Sequence, residues 1–466
     1  MNRTSRFLPQ CFMAMAAGLI LAASVRADET PNVVIILSDD QSWTDYGFMG
    51  HEHIETPNLD LLADQSATFP RGYVPTALCR PALMSIITGL YAHETKITGN
   101  DPAKTPQNAA HANRTGLDPR EVMISNIDRT GALPVWLKEK GYVSFQSGKW
   151  WEGAPSRGGF TDGMTRGFPK PGGRHGDDGL KIGREGMEPV FEFIDGAVEA
   201  KKPFFLWYAP FLPHTPHNPP KRLFDKYLKL DLPKTVARYY AMCEWFDETC
   251  GELITGLDKR GVSDNTLVIY VTDNGWIQSP KSSSYAPRSK RSPNEGGVRT
   301  PIMFRWPGVI KPGERKELCT SLDIAPTILS AAGAKAPHEF PGLDLLPALR
   351  EGKAIERNTL FGESFAHDVA DVMVPEASLI FRWVMEGDMK LILTYDGRRG
   401  SYKYPPEDYR PQLYDLVKDP HENHNLAKDQ PETVQRLAKK IADWWPTERK
   451  TVTEWSDEPV FIEPVE

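Results

Sequence analysis

Four short strand-like runs recur along the chain, and each stops at a polar residue suited to an anion or a metal. Residues 32–37 (NVVIIL) deliver Ser38-Asp39-Asp40, and YVSFQ delivers Ser147-Gly148-Lys149-Trp150. PFFLWYAP (203–210) delivers PHTPHNPP, and NTLVIYVT (265–272) delivers Asp273-Asn274-Gly275. Apolar, β-branched runs without polar alternation suit strands buried on both faces, the form that parallel sheets take. Helical patterns separate them. TPNLDLLADQS has Thr56 in the N-cap position and Pro57 in the first turn. Residues 133–140 end at Gly141, and 235–259 carry an apolar stripe through Val236, Tyr240, Cys243, Phe246, Leu253 and Leu257. Another helix begins between Asp323 and Leu329. Such alternation, running to about residue 345, predicts an α/β fold with a mostly parallel central sheet flanked by helices.

Beyond that point the texture changes. Residues 381–395 read as a hairpin around Glu386-Gly387-Asp388, followed by PQLYDL and a helix near 431–446. This predicts an α/β domain over 28–345 and a smaller C-terminal α+β subdomain over 346–466. Residues 1–27 read as an export signal: Arg3 and Arg6, an apolar core from Phe12 to Ala23, and the small-x-small site Val25-Arg26-Ala27. That core is too short for a membrane span, and Cys11 leaves with it. No later run is apolar enough to anchor the chain, so the expected location is periplasmic or secreted.

A net charge of -7 gives no support for nucleic-acid binding, and an anionic substrate would need a local cationic pocket. The 40 prolines and 37 glycines argue for long ordered loops on the scaffold. One runs from Glu152 to Arg184 with Arg157, Arg166, Arg174 and His175, and is either substrate-facing or a plain solvated loop; residues 99–130 read as an irregular surface excursion. Cys243 and Cys250 fall about two turns apart on one helix, roughly 10 Å, too far to bridge. Neither a disulfide scaffold nor zinc spacing is present.

The segment Cys79–Gly89, CRPALMSIITG, sets a cysteine at a helix mouth. Pro81 suits the first helical position and Gly89 the stop. The dipole end there favours a thiolate or a bound oxyanion, although a buried structural cysteine is the plainer reading of a lone Cys. Open α/β sheets hold ligands beyond the carboxyl ends of their strands, where Asp39, Asp40, Lys149, His214, Asp273 and Asn274 all fall. Singly, each has a turn-forming or surface explanation; six together point to a site. Three carboxylates and an amide oxygen make a hard, oxygen-only set. It suits Ca²⁺, or Mg²⁺ with more retained water, and disfavours zinc.

CRPALMSIITG resembles the sulfatase signature, in which a Cys is followed at fixed spacing by Pro, Ser, Arg and Thr-Gly. Cys79, Pro81, Thr88 and Gly89 match, while Ala82 stands for the Ser and Leu83 for the Arg. LYDLVKDPHENHNLA and YYAMCEWFDETCGELI resemble that family's C-terminal subdomain and long central helix. The resemblance implies that Cys79 is converted by a formylglycine-installing enzyme to formylglycine, whose hydrate is the nucleophile. It implies Asp39, Asp40, Asp273 and Asn274, with residue 79, as divalent-metal ligands. Lys149, His214 and Lys290, just ahead of Glu295-Gly296-Gly297, would bind the sulfate. Trp151 stands where the family has a histidine after Gly-Lys-Trp, and Arg71, Arg80 and His93 are candidates to compensate for the lost Arg and His. The implied function is hydrolysis of a sulfated carbohydrate or other organic sulfate. A phosphate mono- or diester hydrolase and a non-catalytic sulfated-glycan-binding relative are the alternatives.

Overall fold

The computed structural model of the protein describes residues 30–394, 409–448 and 451–456; the expected export signal lies outside them. Its central sheet is built on β1 (Asn32–Ser38), β2 (Ala67–Tyr73), β3 (Val143–Gly148), β4 (Phe204–Ala209), β5 (Thr266–Thr272) and β6 (Arg299–Arg305). Across the sheet the order is Cys319–Thr320, β2, β6, β5, β1, β4, β3 and Asp162–Gly163. β1 runs parallel to both β4 and β5, and β3 runs parallel to β4. Only β6 opposes its neighbours among these six, pairing antiparallel with β2 and β5. The sheet is therefore mostly parallel, as the strand patterns predict.

Both faces are covered, which is why β1 can be apolar throughout. Val33, Ile35 and Leu37 enter one core, and Val34 and Ile36 enter the other. The first core packs against α2 (Cys79–Thr88) through Leu83, Met84, Ile86 and Ile87. The second packs against α1 (Pro57–Asp64) and the long α3 (Lys234–Lys259) through Leu59, Met242, Phe246 and Leu253. After the main sheet, β7 (Thr359–Phe365), β8 (Leu379–Glu386), β9 (Met389–Thr394) and β10 (Gln412–Asp415) form an antiparallel sheet in that order. Val384, Leu391 and Leu413 pack under α4 (Pro431–Trp444) through Val434, Leu437 and Ile441. Ile380, Trp383 and Ile392 join the large core of the main sheet.

Several local expectations need correction. Thr56 does sit at the α1 N-cap, but its hydroxyl accepts from Gly47 N and donates to Asp60. The free N–H groups of α1 are met from afar: Asp247 on α3 accepts from Asn58 N at 3.2 Å and Leu59 N at 2.7 Å. Residues 99–130 are not irregular. Helices span Pro106–Thr115, Pro119–Ile124 and Asn126–Thr130, the first two started by Thr105 and Asp118 capping residues followed by proline. β2 (ATFPRGY) breaks strand patterning with Pro70, and its register with β6 shifts between Phe69 and Gly72. Cys79, Cys243, Cys250 and Cys319 are all buried and free.

Candidate active site

Register explains why the polar strand ends meet. Ser38 pairs with Thr272, so Asp39-Asp40 and Asp273-Asn274 leave the sheet side by side. Gly148 pairs with Ala209, which sets Lys149 beside them. Gly148 has φ of 85°, and a Cβ there would come within 1.8 Å of the Ala209 carbonyl oxygen. Only glycine lets the chain turn so tightly that Lys149 N bonds that same oxygen at 2.8 Å. Asp40 also takes a left-handed φ of 67°, a conformation Asp tolerates, and its N–H donates to Asp273 Oδ1 at 3.1 Å.

Cys79 opens α2 rather than preceding it; Leu78 is the N-cap and Pro81 is the third helical residue, whose missing N–H needs no intrahelical partner. Its thiol is one of four groups, with Asp39, Asp40 and His214, whose potential ligand atoms all lie within 4.8 Å of one another. Lys149 Nζ is 2.6 Å from Asp39 and 3.8 Å from Asp273. Lys290 Nζ is 2.7 Å from Asp40, to which Asn274 Nδ2 also donates at 2.7 Å. His214 Nε2 is 3.3 Å from Asp40, while Nδ1 is 2.6 Å from the Thr215 carbonyl oxygen. The structure thus brings together Asp39, Asp40, Cys79, Lys149, His214, Asp273, Asn274 and Lys290.

Burial governs the charges. It pushes Asp39 and Asp273 upward against the pull of Lys149, whereas at Asp40 burial is overcome by Lys290, His214 and Lys149, holding it at about 2. Burial works against the ammonium groups too, but the carboxylates win and both lysine pKa values are raised. The thiol departs from expectation. Burial drives Cys79 up to about 12 despite Lys149 and Lys290, so the helix end does not yield a free thiolate.

Among the described residues, three oxygens in this cluster are buried without a hydrogen-bond partner: Asp39 Oδ2, Asp273 Oδ2 and Asn274 Oδ1. Buried acceptors normally find donors. Unpartnered acceptors from three of the four oxygen-bearing residues fit a hard divalent cation.

Other expected residues lie elsewhere or are already engaged. Arg71 pairs with Asp388 and His93 with Glu363, while Arg80 is held by Glu152 through two 2.7 Å bonds. All three of these candidates are thus engaged in ion pairs of their own. His217 packs near Tyr239 and Trp276. In the 152–184 loop, Arg157 binds Glu121 and Asp128, Arg166 approaches Asp177 and Asp178, and Arg174 binds Asp101. His175 meets the site, with its ring 5.4 Å from Trp151 and 5.8 Å from Phe211, as does Arg184 at the end of the loop, which donates to the His214 carbonyl at 3.0 Å. Sequence reasoning missed Phe211, which stacks on His214 at 4.2 Å, and Tyr239, whose hydroxyl donates to Asp45 at 2.6 Å. Phe211 follows the same strand end as His214, a signal that was available.

The family model for sulfatases matches residues 31–334, and the model for the N-sulphoglucosamine sulphohydrolase C-terminal region matches 288–445. Human arylsulfatase A is 28% identical over 91% of this chain and 88% of its own. Rat N-acetylgalactosamine-6-sulfatase is 30% identical over 73% of this chain and 69% of its own. The solved PsFucS1 sulfatase from Pseudoalteromonas sp. shares the fold, with a TM-score of 0.66 and 19% identity over 91% of this chain and 92% of that one.

Proposed function

Given that the chain belongs to the sulfatase family and is a sulfuric ester hydrolase, we propose that it removes sulfate from a sulfated carbohydrate outside the cytoplasm, through residue 79. The observation carrying this reading is the convergence of two ammonium groups, an imidazole and unpartnered carboxylate oxygens on one buried cysteine. The carbohydrate follows the names of relatives such as N-acetylgalactosamine-6-sulfatase. The location follows the reading of residues 1–27, and among the described residues no helix is long and apolar enough to cross a membrane.

Asp39, Asp40, Asp273 and Asn274 would hold the divalent cation, Ca²⁺ or Mg²⁺, which supplies Lewis-acid charge to a sulfate oxygen. Formylglycine at position 79 supplies an oxygen nucleophile where a protonated thiol would supply none. The remaining work falls to side chains of this chain. Lys149 and Lys290 donate to sulfate oxygens and hold the ester with sulfur facing residue 79, each ammonium keeping N–H groups beyond its bond to Asp39 or Asp40. His214 is the most exposed of the three at 19%, which suits it to face the leaving oxygen of a bound ester. Burial, with Lys149 nearby, keeps its imidazole neutral at rest; an anion arriving at Nε2 raises its proton affinity, so it takes a proton from solvent at Nε2 and passes it to the departing alkoxide oxygen.

The test is enzyme purified from its native host, assayed for sulfate release from sulfated amino sugars and polysaccharides and for phosphate release from matched phosphate esters. Mass spectrometry of the Cys79 peptide accompanies it. Formylglycine at position 79, preference for sulfate, and no turnover by Cys79→Ala are expected. An unmodified thiol in active enzyme, or an active Cys79→Ala variant, would overturn the reading; a clear phosphoester preference would transfer the site to the phosphate alternative.

A further inference from the structure

Lys149 is 2% exposed, so its ammonium must be held by protein on nearly every side. Among the described residues its one short partner is Asp39, and Asp273 stands at 3.8 Å. Two aromatic faces cover it from other directions: Nζ is 5.2 Å from the Trp151 ring centroid and 5.3 Å from that of Phe211. Both distances lie within the range where a ring's negative face attracts a cation. An aromatic wall has a property that a third carboxylate would lack. It steadies the charge without taking up N–H groups, leaving them for an incoming sulfate oxygen.

Trp151 is itself fixed. It is 4% exposed, and with Arg80, Leu83, Met84, Trp150 and Glu152 it lines a residual space of about 10 Å³, at the lower limit for a single water. Leu83 and Trp151, which replace the Arg and the His of the sulfatase pattern, therefore line the same packed layer. Arg80, which the sequence offered as a replacement charge, is sequestered there by Glu152.

We propose that Trp151 is a positioning residue acting through Lys149: its indole, together with Phe211, fixes the ammonium so that the free N–H groups meet the sulfate. The proposal rests on the reading of Lys149 as a sulfate-binding group. In place of a titratable side chain, position 151 contributes a π-face. The constraint it supplies does not vary with pH and does not compete with any metal for Asp39.

The test is a double-mutant cycle on the full-length, metal-loaded enzyme, with Trp151→Phe, Trp151→Leu, Lys149→Met and the Trp151→Leu/Lys149→Met pair. The readouts are kcat/KM for sulfate release, and the Kd for inorganic sulfate measured calorimetrically in a Cys79→Ala background. Losing a desolvated cation–π contact should lower kcat/KM about tenfold and weaken sulfate binding in Trp151→Leu. Trp151→Phe, which keeps a ring, should stay within about threefold of the parent. With Lys149 already replaced, Trp151→Leu should cause no further loss. An equal fall in Trp151→Phe and Trp151→Leu, or a full Trp151→Leu loss persisting without Lys149, would overturn the proposal. Unchanged activity and sulfate affinity in Lys149→Met would instead overturn the reading of Lys149. Should Trp151→Leu fail to fold, Trp151→Met takes its place in the same cycle, judged by the same two criteria.

Discussion

Replacing Glu152 by leucine should destabilise the enzyme far more than removing an ordinary ion pair. Arg80 and Glu152 are 1% and 2% exposed, and the guanidinium meets the carboxylate through Nε and Nη2, both at 2.7 Å. Arg80 Nη1 has a further bond to the Asn100 carbonyl at 3.2 Å, which carries no compensating charge. Glu152→Leu leaves the cation buried without its counter-ion, a loss of about 3–5 kcal/mol. In a protein of 466 residues the unfolding entropy makes each kcal/mol worth about 1 °C at the midpoint, so Tm should fall by about 3–5 °C. Removing both charges should behave differently. Arg80→Met/Glu152→Leu puts apolar groups of similar volume into an apolar layer beside Leu83 and Met84, and should recover most of the loss. Urea titration followed by tryptophan fluorescence, with calorimetry for Tm, measures both variants. A Glu152→Leu loss below about 1 kcal/mol, or a double variant no more stable than the single, would refute the account, because the pair would then behave like a solvated surface bridge.

Two further outcomes follow from the site and its surroundings. Stripping divalent ions with a chelator should abolish sulfate release and lower Tm, with both restored by Ca²⁺ or Mg²⁺, because Asp39, Asp40 and Asp273 crowd together in a buried site; full activity in verified metal-free protein would count against it. Burial alone lowers the pKa of His93, but Glu363 and Glu94 outweigh burial and the repulsion of Arg382, and raise it above the ordinary 6.5. The ring also stacks on Trp445 at 4.2 Å. This pairing should therefore stabilise the fold fully below about pH 6.5 and lose its contribution as pH rises through the raised value. Tm should decline across that interval in the parent and be flat in Glu363→Gln; parallel profiles would exclude the linkage.

The strands and the positions of the clustered carboxylates were readable because each depends on local pattern. A β-branched run fixes a buried strand, and the residue after it is necessarily at the sheet's edge, so Asp39, Lys149 and Asp273 could be placed from sequence. Family resemblance added Lys290, which no strand end marks. Other features were hidden for physical reasons. The helices of residues 106–130 are polar on most faces and announce themselves only through Thr105-Pro106 and Asp118-Pro119. Glu152 as the partner of Arg80, and Asp247 as the cap of α1, join segments far apart in the chain. The π-faces on Lys149 depend on side-chain orientation, which spacing does not encode. Cys79 illustrates competition between two effects: the helix end favours the thiolate, but complete burial outweighs it.

Lys390, on β9 of the C-terminal sheet, lies fully buried between Glu295 at 2.9 Å and Glu422 at 3.0 Å. Glu295 begins the short helix that follows the Lys290 loop, and Arg288 on that loop donates to the Glu422 carbonyl oxygen at 2.8 Å. The tail of the polypeptide is thus a splint for one of the two ammonium groups of the site. A shortened form ending before β9 would lose more than peripheral mass, and a chimera bearing a foreign tail would need to recreate this carboxylate–ammonium–carboxylate sandwich before its Lys290 could be expected to sit where it does here.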